Sequence, residues 1–154
     1  MKKKAFIISC IVIFIVGLCF VLYFSLRSTK FFLETEYYKK NGLVDVSSSE
    51  VEQLIKQKKS FLLFTYNSFC SFSVPCDTVF EESAKEKNVI ILQIPFEEFK
   101  NTSLHKTVKY GPSVLIIKEG KIVSYIDAEK DEDIDKYQDT SVFIDWLSKY
   151  IQYA

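Results

Sequence analysis

Cys70 and Cys76 stand six positions apart, just beyond an apolar run at residues 61–66, in a stretch rich in serine and asparagine. The thiolate form of cysteine is the nucleophile that attacks or closes a disulfide. A cysteine at a helix start faces unpaired N–H groups and the positive end of the helix dipole, and both favour the charged sulfur. The residues that follow have a helical pattern, with Cys76, Val79, Phe80 and Ala84 on one face up to about Lys87. Cys70 is therefore a candidate nucleophile and Cys76 a candidate resolving thiol, against the alternative of a buried thiol with no chemistry. One continuous helix from Cys70 would separate the pair by about 9 Å of rise, too far for the roughly 7 Å Cα limit of a disulfide. Pro75 changes this, because it disfavours helical backbone at Val74 and suits a first helical turn. With the helix starting near Ser73, Cys70 can fold back, and an oxidising exterior favours the bridge.

Other chemistry is poorly supported. His105 is the only histidine and stands 35 residues from Cys70. A Cys–His pair would need the fold to join them. Asp131, Glu132, Asp133 and Asp135 lack the glycine and closing glutamate of a calcium loop and read as a solvated segment. Cys70 and Cys76 without neighbouring histidines do not suggest zinc. No metal or cofactor is expected.

The elements that must position these residues follow in order. A strand at 43–46 leads to a helix capped by Ser47 to Ser49, with Val51, Leu54 and Ile55 at helical spacing. Residues 61–66 are a near-continuous apolar strand, the kind buried on both faces. After the cysteine helix come a second buried strand at 89–94 and a short helix at 96–106. Strands at 114–118 and 121–126 flank Glu119-Gly120 as a hairpin. A polar loop at 127–138 precedes a last helix with Val142, Phe143, Trp146, Leu147 and Tyr150 on one side. The order β-α-β-α-β-α-β-β-α implies an α/β fold, a mixed sheet with helices on both faces.

Residues 5–26 are 22 positions without a charge, about 33 Å of helix and enough to cross a bilayer. The stretch is too long for a cleavable signal, and Phe24-Ser25-Leu26 is a poor cleavage site. A removed signal peptide, or a lipidation box at Cys10, is the competing reading. We expect residues 1–27 to be a membrane anchor, 28–42 a linker and 43–154 the one folded domain. Lys2, Lys3 and Lys4 precede the apolar stretch and favour the domain outside the cytoplasm. Net charge is zero, and without those lysines the chain has three more acids than bases. That argues against nucleic-acid binding, which needs a basic face.

Two local patterns together resemble the thioredoxin superfamily. One is the strand at 61–66 ending in Tyr66 and followed by Asn67-Ser68-Phe69-Cys70. The other is Gly111-Pro112-Ser113 ahead of the strand at 114–117 and the Lys118-Glu119-Gly120-Lys121 turn. The resemblance covers about 110 residues. It extends to membrane-anchored members from Gram-positive bacteria, including bacteriocin-transport accessory proteins. It implies a thioredoxin-like fold with Cys70 as nucleophile, Phe69 and Ser73 in support, and a cis Gly111–Pro112 bond in contact range of Cys70. Such a bond exposes a backbone edge on which a partner chain can pair. The family's dithiol is Cys-x-x-Cys. An ungapped alignment places Ser73 at the second cysteine, whereas a gapped one uses Cys76 with a loop three residues longer. The family's buried acid falls on Phe64. The implied function is a membrane-tethered oxidoreductase acting on protein thiols or disulfides outside the cytoplasm. The alternative is a non-catalytic thioredoxin-like module accessory to a secretion or transport complex.

Overall fold

The computed structural model describes residues 30–67 and 75–153. The expected membrane anchor at 1–27 lies outside them. Among the described residues no helix is long and apolar enough to cross a membrane.

Five strands form one sheet in the order β1 (Gly42–Asp45), β3 (Ile90–Pro95), β2 (Phe61–Tyr66), β4 (Ser113–Lys118), β5 (Lys121–Asp127). β1, β3 and β2 are parallel, and β4 and β5 are antiparallel additions. β2 and β4 are each buried along all but their last residue, as central strands covered on both faces must be. β5 is an edge strand and exposes Lys121 and Val123. The β4–β5 turn uses positive φ at Glu119 (50°) and Gly120 (73°), the backbone that a two-residue hairpin demands.

Helix α1 (Ser48–Lys56) opens with a capping box in which Ser47 and Glu50 satisfy each other's backbone N–H. Helix α2 (Cys76–Glu86) buries Cys76, Val79, Phe80 and Ala84, the expected face. Phe80 is the hub of the core beneath it. Its ring lies 4.8 Å from Phe64, 5.7 Å from Tyr137 and 4.6 Å from Phe143, centroid to centroid. Those contacts fix the start of α2, and hence Cys76, against the end of β2.

The structure departs from the sequence expectation in several places. The helix expected over 96–106 is a single turn, α3 (Phe96–Phe99), followed by a 3-10 turn at Ser103–Lys106. Thr102 divides them by bonding both its N–H and its hydroxyl to the Phe99 carbonyl, at 2.8 Å each. In α4 (Thr140–Leu147) the Asp139 cap sets a phase that buries Ile144 and leaves Val142 37% exposed. The segment at 127–138, expected as solvated loop, contains a 3-10 helix (Asp131–Tyr137) with Asp133 and Tyr137 buried. The stretch read as a linker packs on the domain from Phe31 onward. Leu33 and Tyr37 join the core, and Phe31 bridges Ile151 near the C-terminus.

Candidate active site

β2 delivers Tyr66 and Asn67 to one end of the sheet, and Pro75 begins the return into α2. Pro75 has φ −58° and ψ 125°, so the helix starts at Cys76 and no continuous helix joins the two cysteines of interest. Cys76 is 1% exposed and disulfide-bonded. Its partner sulfur lies outside the described residues, as do Phe69, Cys70 and Ser73.

The Gly111–Pro112 bond is cis, as expected. The β2–β4 register pairs Thr65 with Ser113, which sets Pro112 against the end of β2. Cys76 and Pro112 line one cavity of about 420 Å³ together with Phe64, Tyr66, Asn67 and Asp77. Gly111 lines the adjoining cavity of about 510 Å³, walled by Tyr66, Asn67, Phe96 and Tyr110. The fold therefore brings Cys76, Gly111 and Pro112 to one end of the sheet.

Three side chains hold this loop, and none of the motifs described above assigns them that role. Ser113 donates its hydroxyl to the Tyr110 carbonyl at 2.7 Å, and Asn67 donates Nδ2 to the Gly111 carbonyl at 2.5 Å. Tyr137 donates its hydroxyl to the Pro112 carbonyl at 2.8 Å from inside the core. Its 3-10 helix is anchored by Asp133, whose carboxylate accepts the Asp127 N–H at 3.0 Å and pairs with Lys136 at 2.6 Å. Burial raises the Tyr137 hydroxyl far above its ordinary range, with the charges of Asp127 and Asp133 adding to the effect. The phenol stays protonated and keeps donating. The sequence held one signal for it, a lone aromatic closing a run of acids.

Among the described residues the cavity around Cys76 has few charges on its lining. Phe64 is 2% exposed and lies where the resemblance would put a buried acid. The carboxylate on the cavity lining is Asp77, which is exposed and accepts the Thr78 N–H at 2.9 Å. His105 belongs elsewhere. Its Nδ1 faces the Val108 carbonyl at 3.1 Å, and its ring packs edge-on against Phe96 and Phe99.

A single-site mutant of thioredoxin from Halobacterium salinarum superposes with a TM-score of 0.52 at 17% identity, over 73% of this chain and 94% of that one. Oxidised thioredoxin from Plasmodium falciparum also gives 0.52, at 16% identity, over 71% of this chain and 99% of that one. The fold is that of thioredoxin. No protein-family model matches the sequence, and no curated protein matches it either. On this thioredoxin fold, Cys76 opens the helix after the central strand β2, and the cis-proline opens the neighbouring strand β4.

Proposed function

We propose that the protein is a membrane-tethered thiol–disulfide oxidoreductase acting on protein thiols or disulfides outside the cytoplasm. The observation that carries this reading is the disulfide-bonded Cys76, buried at a helix start on the same cavity as Pro112. Cys10 and Cys19 belong to the apolar N-terminal stretch, so we assign Cys70, six residues away, as the partner of Cys76.

Exchange then balances as follows. A thiolate of the partner protein attacks Cys70 Sγ, the bond to Cys76 breaks, and its electron pair leaves on Cys76 Sγ. That sulfur forms at the positive end of α2, which favours it as a leaving group, and it takes a proton from solvent. A second thiolate of the partner attacks the mixed disulfide and releases Cys70. Two electrons pass to this protein, and the reverse sequence reduces a partner disulfide. An extended segment of the partner can pair along the backbone edge at Gly111.

The test is mass spectrometry of alkylated full-length protein with and without reductant, followed by the alkylation rate of Cys70 against pH. A linked Cys70–Cys76 pair is expected, and the reading requires a Cys70 pKa below the ordinary value of about 8.5 even though the helix starts six residues later, at Cys76. Two free thiols under oxidising conditions sink the dithiol mechanism. Phe64 favours a second reading, a non-catalytic interaction module accessory to a secretion or transport complex, because no carboxylate stands there to take a proton from Cys76. An inert Cys70 with an ordinary pKa selects that reading.

A further inference from the structure

β2 and β4 run antiparallel, with Thr65 opposite Ser113 at the end bearing the candidate site and Phe61 opposite Ile117 at the other. Six-residue strands set those two ends roughly 17–20 Å apart. At the far end three separate stretches of chain are stitched together. Gly120 donates its N–H to the Lys59 carbonyl at 2.9 Å, and Glu119 donates its own to the Ser60 hydroxyl at 3.0 Å. Glu34 donates its N–H to the Ser60 carbonyl at 3.1 Å and pairs with Lys59 at 3.2 Å. Lys118 Nζ lies 5.3 Å over the Phe31 ring.

This surface gathers Lys30, Lys58, Lys59, Lys118 and Lys121 against Glu34 and Glu119, in a domain that is otherwise acidic. Lys30, Lys58 and Lys121 are exposed, and among the described residues no carboxylate lies in ion-pair range of them. Phe32, beside Lys30 and Phe31, is 53% exposed. Exposed lysines alone would be an ordinary solvated face. Phe32 follows the pinned Phe31 and stands six positions from Leu26, where the uncharged stretch ends, and it adds an exposed apolar side chain beside that lysine-bearing segment.

The length of chain beyond this face says what lies under it. Phe31 is pinned by its N–H to the Tyr150 carbonyl and by its carbonyl to the Gln152 N–H, at 2.9 and 2.8 Å. The uncharged stretch ends at Leu26. Five residue steps reach at most about 18 Å when fully extended. The headgroup layer is itself roughly 5–7 Å deep on each side of the hydrocarbon.

We propose that this face docks on an anionic membrane surface, with its lysines against lipid headgroups and Phe32 at the boundary with the acyl chains. The Cys76–Pro112 end of the domain then faces away from the bilayer, toward partner proteins. This rests on the tethered reading above and goes beyond it, since a tether alone leaves the domain free to tumble. Lysine stems reach along the apolar boundary while their heads stay with the phosphates, which is the behaviour such a face requires.

The experiment uses the full chain carrying Phe32→Trp in vesicles of phosphatidylcholine, alone or with about one third phosphatidylglycerol, containing lipid brominated near the headgroup. Trp146, 6% exposed in the core, is the internal reference in the unsubstituted protein. Extra quenching from position 32 that rises with phosphatidylglycerol supports docking. Reversal of Lys58, Lys118 and Lys121 to Glu should lower that extra quenching by about half or more. Protein that floats with the vesicles but shows no added quenching overturns docking while leaving the tether standing. Protein that fails to float overturns both. A blue shift that follows protein density rather than bromolipid marks a second copy on this face, and also overturns docking to lipid.

Discussion

Tyr137→Phe removes one buried hydroxyl and keeps its ring. The ring stays, so its edge contact with Phe80 at 5.7 Å is kept and no sizeable cavity opens. What disappears is the 2.8 Å donation to the buried Pro112 carbonyl, together with the hydroxyl's contact with Ser113. A buried acceptor stripped of its donor costs about 1–3 kcal/mol. For a domain of this size that is a fall in Tm of roughly 3–15 °C, scaling from about 3–5 °C per kcal/mol. Because the lost bond holds the cis-proline loop, the variant should also lose activity toward a protein disulfide through a raised KM. A loss of about tenfold would correspond to roughly 1.4 kcal/mol. The rate at which a small thiol such as dithiothreitol reduces the Cys76 disulfide should stay within about twofold, since that reaction needs no paired strand. The assay is a pair of measurements on purified protein, thermal unfolding and the ratio of the two reduction rates. Unchanged Tm with an unchanged ratio would refute the reasoning. A lowered Tm with an unchanged ratio would make Tyr137 a core residue and nothing more.

Gly111→Ala would place a Cβ 2.6 Å from Cδ2 and 2.8 Å from Cγ of Phe96, whose ring is 8% exposed and stacked on Phe99. Overpacking of that kind costs about 1–3 kcal/mol, read as a lower urea midpoint with an unchanged slope. Alkaline pH should destabilise the fold through its buried tyrosines. Burial raises Tyr37 from 10.0 to about 12 and raises Tyr137 further, so the folded state resists ionisation that the unfolded chain accepts. The stability held by these phenols is complete below pH 10 and is lost as pH climbs above it. Urea midpoints from pH 8 to 11 should fall, less steeply in Tyr137→Phe, and a flat profile would contradict the burial of these groups.

Much of this architecture was legible in the chain itself, for a physical reason. Strands buried on both faces must be continuously apolar, so residues 61–66 and 89–94 read as buried strands without reference to partners, and the sheet sets them side by side. The Ser47–Glu50 box and Glu119-Gly120 turn are likewise local, since their groups are satisfied within a few residues. Pro112 ahead of an apolar strand and Cys76 on the apolar face of a helix were readable in the same way. The linker-like stretch at 30–41 and the acidic run at 127–138 were misleading, because composition there is polar while the decisive contacts are distant. Tyr38 bonds Gln152 across 114 positions, and Tyr137 bonds Pro112 across 25. No periodicity encodes such a meeting. Asn67 reaching Gly111, and Lys118 lying over the Phe31 ring, exist only once the sheet has been assembled. The sequence by itself determined which segments could be buried and which residues could carry thiol chemistry. Tertiary structure alone decided which polar groups hold the proline loop, because a hydrogen bond between distant residues depends on where packing has put their backbones.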